Sequence, residues 1–306
     1  MNTAVHSVHE FAFCVPDLEA AVHFYSSFGL DVRREAGGLG LYTDGHAQRW
    51  GRVLEGGRKQ LLWLALGVYQ QDLAALLARC DAQQVRRIAP PHAEVPDGVW
   101  IAAPDGVAIC LQVAAKCSPS EKAPREFAPE GGHAGRAPCR SAIRQVRPTH
   151  LSHILLFTPD VNAAVEFYCA ALGLRLSDRS GDIIAFVHSP HGSDHHLLAF
   201  ARSAAPGLHH SSWNVNSFDA VGLGAQQMAQ AGYPDGWGVG RHVLGSNYFR
   251  YVRDPWGSYA EYSFDIDFIA AGVQWPAADY PPEDSLYVWG PALPADFVTN
   301  HEVPTM

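Results

Sequence analysis

Sixteen histidines in 306 residues, most of them after position 145, put imidazole chemistry at the front of any reading of this chain. Imidazole titrates near neutrality and ligates borderline metals, so clustered histidines point to proton transfer or to metal binding. Three residues of the second half have the types of a mononuclear metal site: His153, His210 and Glu261. Two imidazoles and one carboxylate form the facial set that leaves open positions on non-haem Fe(II), where a bidentate substrate and O2 can share the other face. A zinc hydrolase uses the same ligand types. Two of them also have a structural reading: a strand-end histidine for His153, a solvent-facing strand residue for Glu261.

The elements that must position these residues come from an internal repeat. SVHEFAFCVPDLEAAVHFYSSFGLDV near the start is echoed by HLSHILLFTPDVNAAVEFYCAALGLRL in the middle. Each copy has an alternating apolar strand, Pro-Asp, a short helix with Ala-Ala and Phe-Tyr, and Gly-Leu where the helix ends. Asp17 and Asp160 suit the helix N-cap, and Gly29 and Gly173 the helix stop. Ala20, Phe24 and Phe28 fall on one helical face, as do Ala163, Phe167 and Ala171. The halves also close alike: WIAAPDGVAICLQV (100–113) resembles YVRDPWGSYAEYSF (251–264), two strands joined by a Pro/Gly turn. Second helices are predicted at about 70–81 and 218–231. Overlaying the halves puts His153 on Glu10, Glu261 on Cys110 and His210 near Trp63, so ligand types gather in the second half.

The repeat divides the chain into a first unit (1–115), a linker (116–147), a second unit (148–270) and a tail (271–306). The linker is rich in Pro, Gly and charge and has no clear period. The tail, rich in Pro and aromatic residues, reads as packing against the second unit. A net charge of −9 and no long basic run argue against a nucleic-acid surface. The start MNTAVHSVHEFAF does not look like a secretory leader, and runs such as LLWLALGVY (61–69) are too short to span a bilayer. A cytoplasmic protein is expected. The six cysteines, at 14, 80, 110, 117, 139 and 169, have no CxxC pair and read as reduced thiols.

The segments LSHILLF (151–157), DHHLLAF (194–200), LHHSSWNV (208–215) and GRHVLGSNYFRYVRDPWGSYAEY (240–262) resemble the type I extradiol ring-cleavage dioxygenases of the vicinal oxygen chelate superfamily. The last segment is the most specific: His, a short spacer, Tyr, then Asp-Pro-x-Gly and Glu. Arg250 departs from the pattern, which has an apolar residue before Tyr251. The resemblance implies an α+β fold of two tandem vicinal-oxygen-chelate domains. Each would be a pair of βαβββ modules whose mixed β-sheets curl around a cavity, with helices outside and the metal site confined to the second domain.

By the same resemblance, His153, His210 and Glu261 hold Fe(II), with Mn(II) able to occupy the same ligands. His210 is selected over His209, which on a regular strand would point to the opposite face. His196 matches the acid–base histidine, with His195 as its rival, and His242 and Tyr251 match donors of hydrogen bonds to the substrate oxygens. His195, Trp213, Trp237 and Asn247 are candidates for the substrate pocket, and Trp256, Tyr280, Tyr287 and Trp289 offer further aromatic surface. The implied reaction is O2-dependent cleavage beside the diol of a small substituted catechol or trihydroxybenzene, in a homo-oligomer. No Arg or Lys occurs from 204 to 240, which disfavours a carboxylated substrate, although Arg241 and Arg250 stand close by. Two rivals remain on the same fold. A glyoxalase-like isomerase would draw ligands from both halves, and a non-enzymatic sequestering protein would need no metal.

Overall fold

The computed structural model describes residues 3–93, 95–126 and 137–303. The first half runs β1 (Ser7–Val15), α1 (Leu18–Ser27), β2 (Asp31–Glu35), β3 (Gly38–Tyr42), β4 (Arg49–Glu55), β5 (Gln60–Val68), α2 (Gln70–Ala82), β6 (Val99–Ala102) and β7 (Ala108–Val113). The second runs β8 (His150–Thr158), α3 (Val161–Ala170), β9 (Arg175–Ser180), β10 (Ile184–His188), β11 (Ser193–Asp194), β12 (Leu198–Arg202), β13 (Gly207–Asn214), α4 (Phe218–Gln230), β14 (Gly236–His242), β15 (Tyr248–Arg253) and β16 (Tyr259–Phe264). The tail adds β17 (Phe268–Ile269), β18 (Ala278–Asp279), α5 (Pro282–Ser285) and β19 (Tyr287–Trp289).

The first sheet has the order β2-β3-β4-β1-β5-β7-β6 and the second β18-β9-β10-β12-β8-β13-β16-β15-β14-β19. Both are mixed: β1 is parallel to β4 and antiparallel to β5, and β8 is parallel to β12 and antiparallel to β13. The fold is therefore α+β, with the repeat read in the sequence as its basis. One module is a strand short. Among the described residues, only β6 and β7 form after α2, and a single bridge between Arg87 and Ile101 stands where β14 stands in the second half. Pro90, Pro91 and Pro96 lie in that stretch and cannot donate to a ladder.

The helix starts follow the sequence. Asp17 accepts the N–H groups of Glu19 and Ala20, and Asp160 that of Ala163. The buried faces sit one residue further on than the periodicity suggests. Ala21, Phe24 and Tyr25, and Ala164, Phe167 and Tyr168, are buried, whereas Ala20 and Ala163 are half-buried. A core-facing stripe wide enough for both members of each Phe-Tyr pair rotates the helix toward the tyrosine. Gly29 ends α1 with φ +100°, and a Cβ there would lie 2.1 Å from the Val146 carbonyl oxygen, so both conformation and space require glycine.

One core runs through both halves. Phe28 at the end of α1 stacks on Tyr262 of β16 with ring centres 3.9 Å apart, and the Tyr262 hydroxyl donates to the Phe28 carbonyl at 2.8 Å. Lys59 and Asp254, both buried, pair across the halves at 2.9 Å. Of the linker, 127–136 lies outside the described residues. Its described parts carry only a short 3-10 turn at Arg140–Ala142. In the tail, β18 pairs with β9, and β19 with β14. The six cysteines are free thiols, and no described helix is long and apolar enough to cross a membrane.

Candidate metal centre

Three neighbouring strands, β8, β13 and β16, carry the metal-type residues, and the register aligns them. Ser212 on β13 faces His153 on β8 and Glu261 on β16, and His210 precedes Ser212 by two residues, on the same face. The result is a closed triangle. His153 Nε2 lies 3.2 Å from His210 Nε2 and 3.3 Å from Glu261 Oε2, and His210 Nε2 lies 3.5 Å from Glu261 Oε2. All three residues are buried, and Glu261 Oε2 has no hydrogen-bond partner. Three lone-pair donors converging on one point with a bare buried carboxylate oxygen would be costly without a cation between them. Their separations suit an ion at about 2.0–2.2 Å from each. Among the described residues this is the one group of three with metal-ligand spacing.

Neighbours fix the protonation of this set. His209 Nε2 lies 2.8 Å from the Phe297 carbonyl oxygen, which only accepts, so that nitrogen carries the proton. His209 Nδ1 is then an acceptor, and His210 Nδ1 donates to it at 2.7 Å. The His210 proton is thereby held on the outer nitrogen, and Nε2 presents its lone pair to the centre. Glu261 Oε1 accepts from Asn247 Nδ2 at 3.1 Å, and Asn247 Nδ2 lies 2.9 Å from Ser263 Oγ. Burial alone would raise the Glu261 pKa, but the adjoining His153 imidazole and then His242 outweigh it and hold the carboxyl below its usual range. Burial pushes His210 well below the ordinary imidazole value, with His209 and His153 adding to the effect.

The expectation that His209 points away from His210 is corrected here. The β8–β13 register shifts between Leu208 and His210, a bulge that breaks the alternation and turns both imidazoles toward the cavity. His209 is the functional-type residue that sequence reasoning passed over. Its signal was the His-His doublet itself, which a strand with strict alternation cannot use on one face.

His196, His242 and Tyr251 stand beside the triangle. The His196 and His153 ring centres are 4.0 Å apart. Burial first, then the surrounding imidazoles, pushes His196 well below 6.5. His242 donates from Nδ1 to the Leu286 carbonyl at 2.8 Å, so its Nε2 accepts from the Tyr251 hydroxyl at 2.9 Å. Burial and the Glu261 charge raise Tyr251 well above 10, which keeps it a neutral phenol. These groups line a cavity with Leu155, Ile184, Phe186 and Leu244 from the second half, and Leu286, Leu293, Phe297 and Val298 from the tail. No Arg or Lys lines it among the described residues. Arg241 is spent on the Ser246 carbonyl and the Tyr248 hydroxyl, and Arg250 on the Pro234 and Gly238 carbonyls. The departure at Arg250 thus serves to hold the backbone beside β14.

The substrate-pocket candidates fare unevenly. Asn247 borders the cavity but commits its amide to Glu261. Trp213 does not reach the cavity: it is fully buried in the common core, 6.4 Å from the Phe11 ring, because it projects from the other face of β13. Trp237 lies behind the wall, stacked 5.7 Å from Tyr251 and donating to the Pro291 carbonyl. His195 sits behind His196, bonded to Asp178, and is not part of the lining. Trp256, Tyr280, Tyr287 and Trp289 also lie outside it; Tyr287 and Trp289 are exposed on the edge strand β19. The tail contributes its aliphatic residues and Phe297 instead.

The strand registers of the first half match the overlay at the three ligand positions. Trp63 faces Ala108 as His210 faces Tyr259, which puts Trp63 on His210 and Cys110 on Glu261. There Glu10 pairs with Arg49 at 2.5 Å and Arg52 at 3.6 Å and accepts from Trp63 Nε1 at 3.3 Å. Burial pushes the Cys110 thiol up to about 12, against thiolate formation. A salt-bridge cluster thus fills the position equivalent to the metal site.

Residues 150–262 match the family model described as the Glyoxalase/Bleomycin resistance protein/Dioxygenase superfamily. Metapyrocatechase 2 from Cupriavidus necator is 50% identical over 301 residues, covering 98% of this chain and 93% of that protein. The fold is shared with 2,2',3-trihydroxybiphenyl 1,2-dioxygenase from Sphingomonas wittichii (TM-score 0.74, 22% identity, 95% of this chain and 100% of that one). It is also shared with an Mn(II)-bound glyoxalase from Novosphingobium aromaticivorans (TM-score 0.73, 24% identity, 94% and 92%). The chain belongs to the extradiol ring-cleavage dioxygenases of the vicinal oxygen chelate superfamily.

Proposed function

We propose that this enzyme cleaves a small catechol bearing an apolar substituent, beside the diol, at a single Fe(II) held by His153, His210 and Glu261. The observation that carries this reading is the bare Glu261 Oε2 facing two imidazole Nε2 atoms in an apolar cavity. When bound, Fe(II), or Mn(II) on the same donors, supplies Lewis acidity toward the diol oxygens and one-electron chemistry toward O2. His196, kept neutral by burial, takes a proton from a diol hydroxyl and returns it as the ring opens. The Tyr251 hydroxyl, whose own proton goes to His242, presents its oxygen to accept from a diol hydroxyl, and Asn247 and His209 hold the carboxylate and imidazole ligands in place. Aliphatic walls exclude water and seat the ring with its substituent, and the cavity offers no cation to a carboxylate. In this reading the first unit (1–115) is non-catalytic and the second (148–270), closed by the tail (271–306), does the chemistry.

Anaerobic purification with Fe(II), followed by addition of catechols and O2, tests the proposal. The expected result is O2 uptake with a visible ring-opened product, faster for methyl-substituted than for carboxylated catechols. Turnover of any substrate without O2 would favour an isomerase, and tight binding without turnover a sequestering role.

A further inference from the structure

We propose that Asp178 and His195 form a relay that fixes the tautomer of His196, placing its proton on Nδ1 and its lone pair on Nε2 toward the cavity. This deepens the acid–base assignment of His196 and rests on it. His195 Nε2 lies 2.8 Å from Asp178 Oδ2, and His195 Nδ1 lies 3.1 Å from His196 Nδ1. All three residues are buried. Asp178 accepts from two further donors: the Ala278 N–H reaches Oδ1 at 2.8 Å and Trp275 Nε1 reaches Oδ2 at 3.3 Å. A carboxylate in that setting only accepts, so His195 Nε2 carries a proton. A neutral His195 then has its lone pair on Nδ1, and that nitrogen accepts from His196 Nδ1–H. Nothing among the described residues bonds His196 Nε2, which is left as the proton acceptor for a substrate hydroxyl.

The same device occurs at the metal ligand. There the Phe297 carbonyl fixes His209, and His209 fixes His210 through an Nδ1–Nδ1 contact of 2.7 Å. Two His-His doublets thus act alike, each with an outer imidazole anchored by a pure acceptor and an inner one aimed at the centre. The anchors differ in charge, and the charged one stands behind the residue that must become an imidazolium. When His196 Nε2 takes the substrate proton, its Nδ1–H still donates to His195, and the Asp178 charge faces the new cation through that ring. Asp178 and His195 are positioning residues, since neither lines the cavity.

The proposal is tested by long-range 1H–15N NMR of the histidine rings in protein loaded with diamagnetic Zn(II), with Fe(II)-loaded kinetics alongside. In the native protein His196 should carry its proton on Nδ1. Asp178→Asn puts an amide where the acceptor stood, and should move the His196 proton to Nε2. Turnover should fall at least about tenfold with iron content kept and KM within about threefold. His195→Phe keeps the ring packing and should give the same kcat loss, which decides the matter if Asp178→Asn does not fold. A native His196 protonated on Nε2, as an imidazolium at 195 would impose, overturns the relay. So does Asp178→Asn or His195→Phe turning over within about twofold of native. Unchanged turnover in His196→Asn would instead defeat the acid–base role itself, and with it the relay. A slow His196→Asn beside an unaffected Asp178→Asn defeats the relay alone.

Discussion

Replacing His209 by Phe isolates what a single outer imidazole contributes to metal binding. The ring contacts survive, since Phe can occupy the place now packed 4.8 Å from Phe297 and 5.5 Å from Tyr259. Two hydrogen bonds do not survive: the 2.7 Å contact that holds the His210 Nδ1 proton, and the 2.8 Å contact to the Phe297 carbonyl. A buried neutral hydrogen bond contributes about 1 kcal/mol net, and a donor left unsatisfied costs about 1–3 kcal/mol. Part of that loss falls on the apo protein too. The share specific to the loaded state is the lost orientation of His210, for which outer partners typically contribute about 10- to 100-fold in affinity. That range corresponds to about 1.4–2.7 kcal/mol, consistent with one hydrogen bond and its orphaned donor. Metal affinity is measured by anaerobic titration against a competing chelator, with thermal unfolding of the apo protein as the control for packing. An affinity within twofold of native, in a folded His209→Phe protein, would refute the claim that His209 sets the His210 tautomer.

His196→Phe should retain iron but slow turnover by about 10²–10⁴-fold, as measured by O2 uptake and iron analysis on the same sample. Apo stability should fall as pH drops from about 6.5 to 4. Burial pushes His6 and His188 down to about 4, so across that window the unfolded chain binds more protons than the folded one. Their contribution to the pH slope is absent above 6.5, and His6→Gln should flatten the slope in thermal melts taken across this range. Lys59→Met leaves the Asp254 carboxylate buried with its N–H donors from Trp256 and Ser258 but without its counter-ion. A loss of about 3 kcal/mol in urea unfolding is expected, and a loss under 1 kcal/mol would show the pair to be dispensable.

The parts of the site legible in the sequence were those tied to strand register. His153, His210 and Glu261 sit on three adjacent strands whose order repeats from the first half, so overlaying the halves brought these residue types forward, and the family resemblance chose His210 over His209. Trp63 and Cys110 occupy the matching places. The cap residues Asp17 and Asp160 were legible because N-capping is local. Features set by side-chain direction and by the tail were not. A bulge at His209 reverses the facing that alternation predicts, and nothing local announces a bulge. Trp213 and Trp237 looked like pocket walls by type, yet which face of a strand meets the cavity depends on the other layers packed against it. Asp178 gave no signal, since its partners Trp275 and Ala278 come from the tail almost a hundred residues away. The missing strand after α2 was likewise obscured, because two strands and a Pro-rich loop read like a complete module.

The central claim is that one metal on His153, His210 and Glu261 directs both atoms of O2 into a ring cut beside the diol. Mass spectrometry of the product formed under isotopically heavy dioxygen tests it most directly, with Glu261→Ala as the matched control. The account predicts two labelled oxygens in an open-chain product from native protein carrying one iron per chain, and neither iron nor product from the variant. Unlabelled product, or labelled product from an iron-retaining Glu261→Ala protein, would contradict it.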